Sequence, residues 1–194
     1  MSPSERLDTF CEQLGYTHRA TFFTPQTVSD GRPNNHVMRQ ALSTIGVKGI
    51  FALEDGFRSP ALKPIVYVGY ASDDLELRSL RKDVWSQGAV PFLLVVMPNT
   101  VEVCSGFQPP TVPTISVDYD PTSGALPETL LNYAADRISS SITWNNFEIH
   151  RDASIDNSLV DAIEALNKRA RHDFPELKKD RDLINALIGK FAIM

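Results

Sequence analysis

Pro64-Ile65-Val66-Tyr67-Val68-Gly69-Tyr70-Ala71 and, further on, Pro91-Phe92-Leu93-Leu94-Val95-Val96-Met97 are nearly continuous apolar runs. Both are rich in β-branched and aromatic residues, both are short, and neither alternates with polar positions, which is how strands covered on both faces read. Between them, Asp73 opens a helix pattern and Glu76 answers it three residues later in the arrangement of a capping box. Leu77, Leu80, Val84 and Trp85 then supply an apolar face that stops at Gly88. Strand, helix and strand in this order predict a right-handed crossover and therefore a parallel pair.

Working outward, Val47 to Leu53 is another strand-like run, joined to the first by the turn-rich Glu54-Asp55-Gly56-Phe57-Arg58-Ser59-Pro60. On the other side, Pro98-Asn99 marks a turn and Val101 to Phe107 has the shorter alternation of an antiparallel partner. The class expected is α/β, with a mixed sheet of about four or five strands and flanking helices. Residues 4–14 place Leu7, Phe10, Cys11 and Leu14 at helical spacing before Gly15, and Val37, Ala41, Leu42 and Ile45 mark a second helix before Gly46. Residues 21–35 and 108–126 read as irregular connections.

A soft boundary at Gly124 gives residues 1–124 as the α/β domain and 125–194 as a helical segment. One helix opens at Pro127-Glu128 with Leu131, Ala134, Ile138 and Ile142 inward. Ile155, Leu159, Ile163 and Leu166 line another, and Leu177, Ile184, Leu187, Ile188 and Phe191 a third. The third keeps its apolar face up to the last residues with no stop signal, so the expectation is that it leads into a further C-terminal domain.

With 42% hydrophobic and 22% charged residues over 194 positions, the chain has the composition of a folded domain. Its net charge of −5 gives no general attraction for phosphate backbones, so any DNA contact must come from locally arranged basic groups. Two cysteines, Cys11 and Cys104, lie in unrelated contexts, and no stretch approaches the roughly 20 apolar residues of a membrane span. A cytoplasmic protein with no membrane partner is expected; the pattern does not specify an oligomeric state.

No residue is nominated as catalytic. Neither a Gly-x-Ser-x-Gly elbow nor a phosphate-binding Gly-rich loop is present, and His18, His36, His150 and His172 lack metal-ligand spacing with one another or with the cysteines. The element order does resemble that of the restriction-endonuclease core, whose chemistry needs an acid at one strand end and Glu-x-Lys on the next strand to hold Mg²⁺ and position water. Glu54 or Asp55 is the candidate first acid, with Lys63 nearby, yet Ile65 to Tyr70 carries neither acid nor lysine. The Glu54–Arg58 loop reads either as a solvated turn with a local ion pair or as a place where Arg58 and Lys63 contact a phosphate or a partner domain. Lys168 and Arg169 head the basic stretch of the helical part, where Asp173, Glu176, Asp180 and Asp182 cancel much of the field. Trp85 and Trp144 could stack on bases, although the position of Trp85 on its helix favours packing against the sheet.

Residues 63–107, from Lys63-Pro64-Ile65-Val66-Tyr67-Val68 through Val84-Trp85-Ser86-Gln87-Gly88-Ala89-Val90-Pro91-Phe92 to Cys104-Ser105-Gly106-Phe107, resemble the region at the front of large adenine-specific DNA methyltransferases of restriction-modification type. Leu187-Ile188-Gly189-Lys190-Phe191 resembles the opening of the helical segment that leads into their methyltransferase core. The resemblance implies a non-catalytic N-terminal accessory domain serving domain docking, DNA positioning or regulation. Its partners would be DNA and a C-terminal methyltransferase domain, and S-adenosylmethionine would be the parent protein's cofactor. This chain itself offers no cofactor site: it has no Gly-rich donor-binding turn after a strand, and Asn34-Asn35-His36 and Pro109-Pro110 do not make the Asn-Pro-Pro-aromatic motif that holds a flipped adenine. The alternatives are a stand-alone degenerate nuclease-like module that binds another protein, and a metal-dependent nuclease using Glu54 and Asp55.

Overall fold

The computed structural model describes residues 1–32, 35–55, 61–140, 143, 168 and 169. At its centre, β3 (Ala61–Tyr70) and β4 (Phe92–Val96) run parallel, Val66 opposite Phe92 and Tyr70 opposite Val96. The connection between them is α4 (Asp74–Gln87). Around this pair the sheet extends in simple chain order: β1 (Phe22–Phe23), β2 (Gly49–Asp55), β3, β4, β5 (Thr100–Ser105) and β6 (Ile115–Asp118), with every other neighbouring pair antiparallel. The α/β class and the mixed sheet are as expected. The sheet has six strands because each edge gains one that the sequence left in a connection.

Both faces of the central strands are covered, and the two-residue pleat sorts their side chains. Phe92, Leu94 and Val96 join a core with Leu7, Phe10 and Cys11 of α1 (Pro3–Gln13), whereas Leu93 and Val95 join one with Leu77, Leu80 and Val84 of α4. Pairing shifts between Phe51 and Ala52, from Phe51 opposite Val66 to Ala52 opposite Pro64. Ile65 is the extra residue of this bulge and lies with Val66 in the α1-side core. A bulge is where a proline, lacking an amide hydrogen, fits inside a sheet.

The helix ends follow local chemistry. Asp73 Oδ1 accepts the N–H groups of Leu75 and Glu76, each at 2.9 Å, and Gly88 ends α4 at φ 61°. Glu76 does not complete the expected capping box; its carboxylate takes the N–H and hydroxyl of Ser72 instead, both at 2.8 Å. Asn35 caps α3 (His36–Gln40) and donates its amide to the Leu62 carbonyl at 3.0 Å, after which Ala41–Ile45 forms one π-helical turn closed by Gly46 at φ 85°. Between β1 and α3 lies the short α2 (Pro25–Ser29).

The single helix expected from Pro127 is two short ones, α5 (Glu128–Leu131) and α6 (Ala135–Ser139), with Ala134 extended at ψ 148° between them. The break turns Tyr133 against Phe92, with ring centroids 5.2 Å apart, and presents its carbonyl to the buried Tyr16 hydroxyl at 2.5 Å. Leu130, Ala135 and Ile138 thereby enter the α1-side core, and Ala135 N–H bonds the Leu14 carbonyl at 2.9 Å. Chain beyond Gly124 thus contributes to the same core as α1. Ile142 and the helices expected around Ile155–Leu166 and Leu177–Phe191 fall outside the described residues, within which no helix is long and apolar enough to cross a membrane.

Two glycines permit close approach at the centre. A Cβ on Gly106 would lie 2.1 Å from the Val90 carbonyl oxygen, which is backbone and cannot yield. On Gly69 it would meet Leu80 Cδ2 at 2.5 Å, the end of a flexible side chain. Gly106→Ala is expected to cost about 2–3 kcal/mol and Gly69→Ala about 1 kcal/mol, a ranking that urea unfolding midpoints will check.

Candidate functional site

The acids and the lysine nominated from sequence lie at the turn end of the β2–β3 hairpin. Glu54 pairs with Leu62, Asp55 with Ala61, and Lys63 with Leu53, and both Glu54 and Lys63 are exposed. Directly opposed residues share a face, and faces alternate along a strand. Leu53 packs toward the α1 side and Leu62 toward the α4 side, so Lys63 and Glu54 belong to opposite faces of the sheet. They cannot act on one metal-bound water. Among the described residues no group of three or more His, Cys, Asp or Glu is placed to hold a metal ion. Arg58 falls outside the described residues; Lys168 and Arg169 occupy consecutive exposed helical positions.

Further along β3, Ile65, Val66, Tyr67 and Val68 are buried in the two cores. The Tyr67 hydroxyl bonds Gln87 at 2.8 Å, and burial pushes its ionisation upward. Lys63 lies on β3 itself, at its exposed hairpin end, whereas the stretch from Ile65 to Val68 is committed to packing.

Two buried charged groups that the sequence reading did not single out organise the opposite margin. Glu102 on β5 is 7% exposed, and its carboxylate accepts hydroxyl hydrogen bonds from Thr100 (3.2 Å), Thr114 (2.5 Å) and Ser116 (2.5 Å). These bonds hold β6 and the residue before it against β5, and they explain why part of the proline-rich connection becomes a strand. Arg81 of α4 is 8% exposed and donates through Nη2 to the Val112 carbonyl at 2.6 Å. Its Nε is buried without a partner among the described residues. Arg81 takes the inward place expected for Trp85, which is half-buried. Its long stem continues the stripe of Leu77, Leu80 and Val84 while its head reaches the loop.

The loop so anchored forms one wall of a cleft of about 650 Å³, and α4 forms the other. Leu75, Arg78, Ser79 and Lys82 face it from the helix, Pro110 and Thr111 from the loop. Helical spacing puts residues 75, 78, 79 and 82 on one face, and the signal legible in sequence was a leucine amid polar positions there. Neither Arg78 nor Lys82 has an ion-pair partner among the described residues, whose salt bridges are Arg19–Asp136 and Arg137–Glu128.

A second cleft of about 670 Å³ lies beside Arg6, Asn99, Asp118, Tyr119 and Asp120. Its arginine is already engaged: Arg6 donates to the Tyr119 carbonyl and lies over the Tyr119 ring, 4.9 Å from the centroid. Asp120 is held below the usual carboxylate range by hydrogen bonds from Thr122, the side chain first and the backbone second. Comparison with protein-family models, curated proteins and solved structures found no match to this chain.

The cysteines are free and buried. Burial, with the nearby Asp8 charge, pushes the Cys11 thiol up to about 12. Burial also pushes Cys104 up to about 12, with Arg81 opposing and Glu102 adding to the shift. Thiols of that kind are inert, and both are expected to ignore a disulfide reagent at pH 8 until the protein is denatured. Because each folded value lies above the ordinary thiol value of 9.0, the folded state holds these protons more tightly. Their contribution to stability is complete below about pH 9 and is lost as pH rises toward about 12. Urea midpoints across that range are expected to fall, and to fall less in Cys11→Ala.

Proposed function

We propose that this chain is a non-catalytic accessory domain of an adenine-specific DNA methyltransferase or related restriction-modification protein. Its work is domain docking, DNA positioning or regulation, and the methyl donor S-adenosylmethionine belongs to a methyltransferase domain of the parent. The carrying observation is strand β3. The restriction-endonuclease-like order read from the sequence would call for an acid and a lysine on the strand after Glu54 and Asp55, yet from Ile65 to Val68 that strand offers only buried packing side chains. A central strand filled with core residues supports a positioning role over a catalytic one. The resemblance over residues 63–107 supports the same reading, because those residues form one continuous unit of β3, α4, β4 and β5. Two buried reduced thiols accord with action in the cytoplasm.

The decisive test is the coding sequence past codon 194. A continuing frame with a Gly-rich donor motif and an Asn-Pro-Pro-aromatic motif is expected; an immediate stop codon would overturn the assignment to a methyltransferase parent. In solution, supercoiled plasmid incubated with the full chain and Mg²⁺ or Mn²⁺ is expected to remain intact. Cleavage lost in Asp55→Ala would restore the nuclease reading. DNA positioning further predicts salt-dependent duplex binding that weakens when Arg58, Lys63, Lys168 and Arg169 are changed to Ala, with the salt slope falling by about one for each phosphate contact removed. Unchanged affinity in those variants would exclude those contacts.

A further inference from the structure

We infer that the cleft between α4 and residues 110–111 is a docking site for an acidic segment of a partner protein, anchored by an apolar side chain. The inference does not depend on the methyltransferase reading. Leu75 is 78% exposed, on a helix whose other face buries Leu77, Leu80 and Val84. It lines a concavity together with Pro110, so an incoming aliphatic or aromatic group would cover both. Arg78 and Lys82 follow on the same face one turn apart, exposed and without salt-bridge partners among the described residues. Ser79 and Thr111 add hydroxyl donors between them. Carboxylates spaced by one helical turn on the partner would meet both cations.

The walls are held in place before any partner arrives. Arg81 fastens Val112 to α4, and Glu102 holds Thr114 and Ser116. The loop therefore need not be ordered on binding, which lowers the entropic cost of association. Charge favours a peptide over a nucleic-acid backbone. Asp74, Glu76 and Asp83 are exposed on the same helix, and the whole chain carries −5. A continuous polyanion would pass all of those acids, whereas a short segment with two carboxylates and an apolar anchor runs past fewer of them.

The test is selection from a random dodecapeptide display library against the full chain, followed by affinity measurement on the synthesised consensus peptide. The expected consensus pairs Asp or Glu with Leu, Ile, Phe or Trp. Its affinity should fall at least about tenfold in the double variant Arg78→Glu, Lys82→Glu, and severalfold in Leu75→Ser. Amide resonances of residues 75–82 and 110–111 should shift on titration. All the substituted positions are exposed, so unfolding spectra of the variants should match the parent. Failure to obtain a consensus, a consensus without acids, or equal affinity in the charge-reversed variant would each overturn the inference. So would tight binding of a labelled DNA duplex that is lost in the same variant, since the cleft would then be a phosphate site.

Discussion

The parallel pair β3 and β4 imposes the constraint on which the rest of the structure depends. Strands joined by a crossover helix have one face covered by that helix from the start. All five residues of β4 are buried, so the second face must be covered too. That requirement recruits α1 from one end of the described chain and residues 126–138 from the other. Tyr16 ties the two together: its ring stacks on Phe51 at 4.6 Å and its hydroxyl bonds the Tyr133 carbonyl. Burial pushes its ionisation well above the usual phenol range, as expected of a hydroxyl that serves as a fixed donor.

A sheet spent on packing leaves its margins for interaction. Where a nuclease-like plan would bring acids and a lysine together, this chain puts Glu54 and Lys63 on opposite faces of a hairpin end. At the other margin, the carboxylate of Glu102 and the guanidinium of Arg81 are taken out of water and bonded to hydroxyls and a carbonyl. Each such burial is costly unless the group's hydrogen bonds are made. Here the bonds made by Glu102 and by Arg81 Nη2 hold a proline-rich connection beside α4, while Arg81 Nε stays without a partner among the described residues.

The edges carry a separate lesson. β1 has two residues, too few for any periodicity, and exists because Phe22 and Phe23 find Phe51 and Ile50 across the pair. Most of β6 is exposed, with Ile115 at 52%, so no apolar alternation marks it. Its pairing is decided by the Glu102 hydroxyl bonds, which join residues distant in sequence. The same holds at Tyr133, where a helix pattern was interrupted to satisfy Tyr16 and Phe92.

Local pattern was enough to determine the α/β class, the four inner strands, the crossover helix with its Asp73 cap and Gly88 stop, and the absence of an acid or lysine from the second half of β3. Each of these depends on periodicity, capping or composition within a few residues, where neighbouring side chains decide the outcome. Only the tertiary structure decided the edge strands, the break at Ala134, the inward turn of Arg81 and the cleft of Leu75, Arg78 and Lys82. Those features depend on partners such as Val112, Thr114 and Tyr133, which lie far away in the chain. Whether a charge is buried or a leucine is left exposed depends on what packs beside it, and that is known only once the sheet has brought those partners together.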